Sequence, residues 1–231
     1  MSYTFAIRPV LLSEIDALMS IWLSVWPLDA QYFDSALNTQ AYLDEYHRYD
    51  RSRLTEHLID LVTGHDIVMV VEFDGAENTK YRKVVAFSLW EAPLKGQNGD
   101  GNAVELISMG SAFKTSTVLP GYRFPNPSRM SDINKSITNP KTTYFDSRYG
   151  NKQLYLVALA THLASRRQGA AKMLCEWAVS KGNGRKASCY IRRGQKLYKM
   201  LGFEDKGIME TWVEGDNEPL VTRAMVWEMG R

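Results

Sequence analysis

The chain has 231 residues, a formal charge of +2 from 28 Lys and Arg against 26 Asp and Glu, and 45% hydrophobic residues. That length fits one large domain, residues 1–231, better than two, and the apolar share, with 6 Trp and 12 Tyr, is ample for a core. A charge so close to balance makes no electrostatic case for a nucleic-acid partner, and no apolar run approaches the roughly 20 residues of a membrane span.

Tyr3–Ile7 predicts a short strand. Ser13-Glu14-Ile15-Asp16 has the form of a capping box, and Ile15, Leu18, Met19, Trp22 and Trp26 follow at helical spacing, so an amphipathic first helix is expected. Residues 28–64 are polar and aromatic. Their clearest element is a helix near Arg51–Val62, with Leu54, Leu58 and Leu61 on one face and Gly64 as its stop. Ile67–Phe73 is rich in β-formers and meets the turn pair Asp74-Gly75 before a second such run at Lys83–Trp90, which predicts a hairpin. From Lys95 to Asn151 the pattern breaks into Gly, Asn, Ser and Pro, with apolar islands such as Val104–Ile107 and a weak helix near Ser128–Ile137. A loop this long inside a compact domain is functional or mobile.

Order resumes with the apolar run Leu154–Ala160, a fourth strand that ends near Thr161. The helix Gln168–Lys181 puts Met173, Leu174 and Trp177 at core spacing and stops at Gly182-Asn183-Gly184. Ala187–Ile191 reads as a buried strand and Gln195–Leu201 as a short helix. Phe203–Val213 and Leu220–Trp227 close the chain as paired strands around Gly215-Asp216-Asn217.

The turn Arg166-Arg167-Gln168-Gly169-Ala170-Ala171, between a strand and a helix, has the makings of an anion cradle. The first amides of a helix lack intrahelical partners, its dipole favours negative charge, and glycine lets phosphate reach the main chain. Arg166, Gly169 and Ala171 fit the pattern [QR]-x-x-G-x-[GA], and Leu197-Tyr198-Lys199-Met200-Leu201-Gly202-Phe203 fits L-Y-x-x-x-G-F. In this order, separated by a helix and a strand, the two motifs resemble the GNAT superfamily of acyl-CoA-dependent N-acyltransferases. The resemblance covers residues 154–203 firmly and skips 96–150. Many relatives carry Asn seven residues and Ala four residues before the tyrosine, where this chain has Ile191 and Gly194.

The resemblance implies an α/β fold: a mixed, strongly twisted central sheet of about seven strands, helices on both faces, and a long insertion between strands 3 and 4. It implies acetyl-CoA as co-substrate, with its pyrophosphate on Arg166, Arg167, Gln168, Gly169, Ala170 and Ala171. The pantetheine arm pairs with the backbone of Leu159, Ala160 and Thr161 like an added strand. It implies acetyl transfer to the primary amine of a small molecule by direct attack in a ternary complex. A protein or peptide acceptor is one alternative, and a non-catalytic acyl-CoA-binding module is another. Tyr198 is the expected acid for the leaving thiolate, against a plain role in packing. Glu91, at the end of the third strand, is a candidate base, against a solvated strand-end charge. His162 and Asp146 read first as loop residues.

Residues 95–151 are expected to act as a lid, anchored by Phe113, Tyr122, Phe124, Tyr144 and Phe145. Cys175 and Cys189 read as small buried hydrophobes, reduced in a cytoplasmic protein, since no basic segment followed by an apolar stretch marks a secretory signal. Histidines at 47, 57, 65 and 162 lack metal-ligand spacing, so no metal is expected. The chain is expected to be a monomer or homodimer without membrane or nucleic-acid partners.

Overall fold

Runs rich in β-branched and aromatic residues form seven strands: β1 (Thr4–Pro9), β2 (Asp66–Asp74), β3 (Lys83–Glu91), β4 (Gln153–Thr161), β5 (Lys186–Ile191), β6 (Glu204–Thr211) and β7 (Leu220–Trp227). They form one sheet in the order β1-β2-β3-β4-β5-β7-β6, antiparallel everywhere except between β4 and β5. The structure, a computed structural model, describes residues 4–25, 66–74, 83–91, 141–150, 153–181, 186–191, 194–212 and 217–228, with single positions between 44 and 55 and between 132 and 139. Helices α1 (Ile15–Val25), α2 (Ala170–Lys181) and α3 (Gln195–Met200) complete the regular elements used below. A parallel pair needs a crossover connection, and α2 provides it between β4 and β5.

Two helices cover opposite faces of the sheet. On one face, Leu18, Met19 and Ile21 of α1 pack on Val70, Val84, Phe87, Leu89 and Ala160. On the other, Ala170 and Leu174 of α2 pack on Met69, Val71 and Val85, while Cys175 and Ala178 join Leu154, Leu156, Ala187, Cys189, Tyr198 and Phe203. β3 is buried from Val84 to Trp90, as a central strand covered on both faces must be. The α1 face continues over β4 and β7 with a fourth cluster, in which Phe145 meets Tyr155, Ala224 and Val226. Phe145 comes from a wide π-type turn (Lys141–Asp146) followed by a short helical turn (Ser147–Tyr149). A β3 tail and a β4 start so far apart in sequence are thus joined through packed chain at the C-terminal end of the insertion.

Two local expectations need correction. Ser13 caps nothing at the first helix: it lies inside a 3-10 turn (Leu12–Glu14), where the Leu11 amide donates to Glu14 Oε2 at 2.8 Å. Glu14 and Glu72 both engage Arg8, and Asp16 pairs with Arg51, so the acidic residues there are used to tie elements together. The helix expected from Gln168 starts at Ala170, because Arg167 and Gly169 have φ of 61° and 97° and hold the turn out of helical geometry. Arg51, Ser52, Leu54 and Thr55 are helical, at the start of the helix expected near Arg51–Val62, and Asp44, His47 and Arg48 are helical as well. Trp26, Leu58, Leu61, Gly64 and the Val104–Ile107 island lie outside the described residues. Asp132, Lys135 and Asn139 are helical, and the rest of the weak helix near 128–137 lies outside them. Among the described residues no helix is long and apolar enough to cross a membrane.

Candidate active site

The geometry of the site starts with one extra residue in β4. Leu89 of β3 faces Ala158, but Trp90 faces Leu156, so Val157 is a bulge. A bulge bends its strand and increases local twist. β4 keeps its parallel partner β5 only from Gln153 to Leu156, the last pair being Leu156 with Cys189. Beyond it, Ala158–Thr161 remains paired to β3 on one side and has no partner strand on the other among the described residues. The bulge also resets the side chains: Val157 and Ala158 both pack toward the α1 cluster, and Leu159 turns to the α2 face. Leu159, Ala160 and Thr161 therefore lie on the opened edge.

That edge leads into the cradle. His162 continues the β4 direction, its amide donating to Val85 O at 2.9 Å, and its Nδ1 accepts from the Ala164 amide at 3.3 Å. A 3-10 turn (Leu163–Ser165) follows, then Arg166 in extended conformation and Arg167 in the left-handed region. Gly169 accepts from the Met173 amide at 3.0 Å and so caps α2. The amides of residues 168–172 have no acceptor among the described residues. Positive φ recurs at Arg167 and Gly169, the kind of alternation from which anion nests are built. A Cβ built on Gly169 meets nothing within 4 Å, so the space before the helix is open. Arg166 and Arg167 are exposed, and the Gln168 side-chain amide is taken up by Ala164 O at 3.2 Å.

Tyr198 packs on the α2 face in the cluster that holds Leu156, Cys189 and Ile191. The Phe203 amide donates to Tyr198 O at 2.9 Å and the Gly202 amide to Lys199 O at 3.0 Å, with Gly202 at φ 84°. That pair of bonds is a Schellman motif, and its usual apolar contact is the edge-on packing of Tyr198 against Phe203 at 5.4 Å. The L-Y-x-x-x-G-F spacing is therefore a helix-ending device that fixes the tyrosine ring. Gly194 caps the other end of α3 at φ 83°, a conformation that disfavours the alanine common in relatives. Ile191 is buried in the same cluster. The Tyr198 hydroxyl makes no hydrogen bond among the described residues. Burial, and then nearby Cys189 and Cys175, push its pKa well above the usual value.

Glu91 ends β3 one rung beyond Trp90 and pairs across to Tyr155, which in turn pairs with Ser188 of β5. By strand alternation it points to the α1 face, opposite Tyr198. Its Oε1 accepts from Lys141 Nζ at 3.1 Å, with the two side chains 30% and 9% exposed. Asp146 lies beside Lys141 at 3.7 Å and accepts from Gln153 at 2.9 Å. Lys141 carried no signal in the sequence, being one lysine in a polar segment. Of the aromatic anchors of the insertion, Phe145 is in the core and Tyr144 lies on β6, where a Cβ on Gly207 would come within 2.8 Å of its hydroxyl. Phe113, Tyr122 and Phe124 lie outside the described residues. Cys175 and Cys189 are buried free thiols. Among the described residues no cluster of three or more His, Cys, Asp or Glu could hold a metal.

By sequence the chain matches no family model and no curated protein. Solved structures resemble it over its whole length. NAA60 of Arabidopsis thaliana, in complex with a bisubstrate analogue, is 12% identical with TM-score 0.55, covering 98% of this chain and 100% of that one. The histone acetyltransferase HPA2 and related acetyltransferase from Corynebacterium glutamicum is 13% identical with TM-score 0.53, covering 100% and 98%. The Salmonella typhimurium protein yncA, with its cofactor acetyl-CoA, is 13% identical with TM-score 0.51, covering 98% and 95%. The architecture is a mixed α/β sheet opened between two parallel strands. It is the fold of the GNAT superfamily.

Proposed function

We propose that the protein is an N-acetyltransferase that moves the acetyl group of acetyl-CoA to the primary amine of a small molecule by direct attack in a ternary complex. The observation that carries this reading is the opening of β4 from β5 at Val157, which runs straight into a helix start with unsatisfied amides. The residues present fit the co-substrate. The nest and the exposed Arg166 and Arg167 suit a pyrophosphate, with Gly169 leaving it room. The free edge of Leu159, Ala160 and Thr161 suits the amides of the pantetheine arm.

Bound acetyl-CoA supplies a thioester carbon and a thiolate leaving group. Acceptor amines are mostly protonated near neutrality, so a proton must leave first. Glu91 takes it, directly or through one water, and passes it to solvent. The amine lone pair then forms the C–N bond while the C–S bond breaks, and Tyr198 donates its proton to the departing sulfur. The second nitrogen proton, shed as the amide forms, restores the phenol. By strand alternation the base Glu91 belongs to the α1 face, whereas the acid Tyr198 packs in the cluster on the α2 face. The Tyr198 hydroxyl, which makes no hydrogen bond among the described residues, is available to donate, and this supports the acid role beside packing.

Neighbours bear names from both acceptor classes: a histone acetyltransferase and a phosphinothricin N-acetyltransferase. The deciding experiment pairs acetyl-CoA calorimetry with CoA release over arylamines, polyamines, amino sugars, amino acids and peptides. Turnover of a small amine supports the proposal, and turnover of peptides alone moves it to the peptide class. Tight binding without any CoA release leaves a non-catalytic acyl-CoA module.

A further inference from the structure

Lys141 is a nearly buried charge whose surroundings hold it from three elements. Its ammonium donates to Glu91 Oε1 at 3.1 Å at the end of β3 and lies 3.7 Å from Asp146 Oδ1. It also stands over the ring of Tyr155 on β4, 5.2 Å from the centroid. Asp146 is itself fixed, since its Oδ1 accepts from Gln153 Nε2 at 2.9 Å. Gln153 Oε1 in turn accepts from Ser188 Oγ at 2.7 Å, in the fully buried middle of β5. A continuous polar chain thus runs from β5 through β4 and the π turn to the β3 carboxylate.

Stability alone is a poor reason for this arrangement. Burying a lysine costs desolvation and several rotors, and apolar replacements of buried ion pairs are often neutral or stabilising. Phe145, four residues on, already anchors the turn in the core. What an apolar residue at 141 could not do is hold Glu91. Ser188, Tyr155 and Glu91 form the rung next to the last β4–β5 pair, so the chain ends where the sheet opens.

We infer that Lys141 is a positioning residue for acetyl transfer, holding the Glu91 carboxylate in place to receive the amine proton. The inference rests on the proposed role of Glu91 as base. Lys141 reaches no reacting atom; it acts through Glu91, with Asp146, Gln153 and Ser188 setting its own position.

The test measures kcat and both KM values for wild type, Lys141→Met, Lys141→Arg, Glu91→Gln and the Lys141→Met/Glu91→Gln pair, with acetyl-CoA calorimetry and a thermal melt on each. Lys141→Met should lower kcat by about 10-fold or more and leave acetyl-CoA affinity within about twofold, because it misplaces the base and not the cradle. Lys141→Arg, which can still reach a carboxylate, should recover most of the loss. In the Glu91→Gln background, Lys141→Met should change kcat by less than about twofold, the non-additivity expected of groups that act as a unit. A purely structural lysine would lower the melting point in both backgrounds and give multiplicative losses, which overturns the inference, as does an unchanged kcat in Lys141→Met. If Lys141→Met does not fold, Lys141→Gln takes its place in the cycle. Wild-type protein that binds acetyl-CoA and acetylates no amine overturns the catalytic reading, and this inference with it.

Discussion

At Tyr198 packing explains everything except the oxygen. Gly202 ends the helix, Phe203 meets the ring edge-on, and Gly194 lies beneath, its absent Cβ 3.7 Å from the ring. Tyr198→Phe keeps all of that and removes the hydroxyl. We expect kcat to fall by about 100-fold with acetyl-CoA affinity and melting temperature nearly unchanged, because only transition-state stabilisation is lost. Equal kcat in the two proteins would return Tyr198 to packing. Gly169 makes the complementary case. Its φ of 97° strains any L-residue, and its Cβ would project into the open space before α2. Gly169→Val should weaken acetyl-CoA binding by at least tenfold, about 1.4 kcal/mol, with about 1–2 kcal/mol of backbone strain taken from folding stability. Calorimetry that finds unchanged affinity in a folded Gly169→Val protein would remove the cradle assignment.

Among the elements, the segment 141–150 shows what sequence could and could not reveal. The two GNAT-like motifs were legible because each encodes a local backbone demand: a left-handed glycine before a helix, and a left-handed glycine that ends one. Alternation and β-rich runs likewise marked all seven strands and placed Glu91 at a strand end. The Val157 bulge was not legible, since every residue from Leu154 to Ala160 is apolar or aromatic and no periodicity marks which one is extra. Nor was the burial of Lys141, which depends on Glu91 at a separation of 50 residues. Ser13 misled for a local reason, because Glu14 reached the Leu11 amide first. Phe145 is the apolar anchor of this segment, fully buried and tilted against Tyr155 at 6.0 Å. Phe145→Ala should destabilise the fold by about 3–5 kcal/mol through lost transfer energy and the cavity left behind. Urea unfolding measures it, and a loss under about 1 kcal/mol would mean that the turn does not rest on this ring.

Across the whole molecule, several buried groups titrate in one direction. Burial pushes the Cys175 thiol up to about 12, and it raises Cys189 and Tyr198 well above their ordinary values. All three belong to the cluster that joins α2, β5 and α3 beneath the opened strands. A folded-state pKa raised above the unfolded one means that the native state holds its proton more tightly. The associated stability is complete below the unfolded value and is lost as pH rises above it. Unfolded thiols titrate near 8.5 and phenols near 10, so the loss should begin at about pH 8.5 to 9 and steepen above 10. Glu14 and Glu228 shift the other way, lowered first by Arg8 and by Lys186 respectively, and their contribution fades only as the pH falls through the carboxylate range. The urea midpoint should therefore be flat from about pH 6 to 8 and drop above about pH 9. Over the flat range both thiols should resist a thiol reagent until the chain unfolds, since the thiolate is the reactive form. Cys175→Ala and Cys189→Ala together should move the alkaline edge toward the tyrosine range near pH 10. Rapid modification of either cysteine in folded protein at pH 8, or an alkaline edge unmoved by the double substitution, would show that this cluster does not set the upper pH limit of the fold.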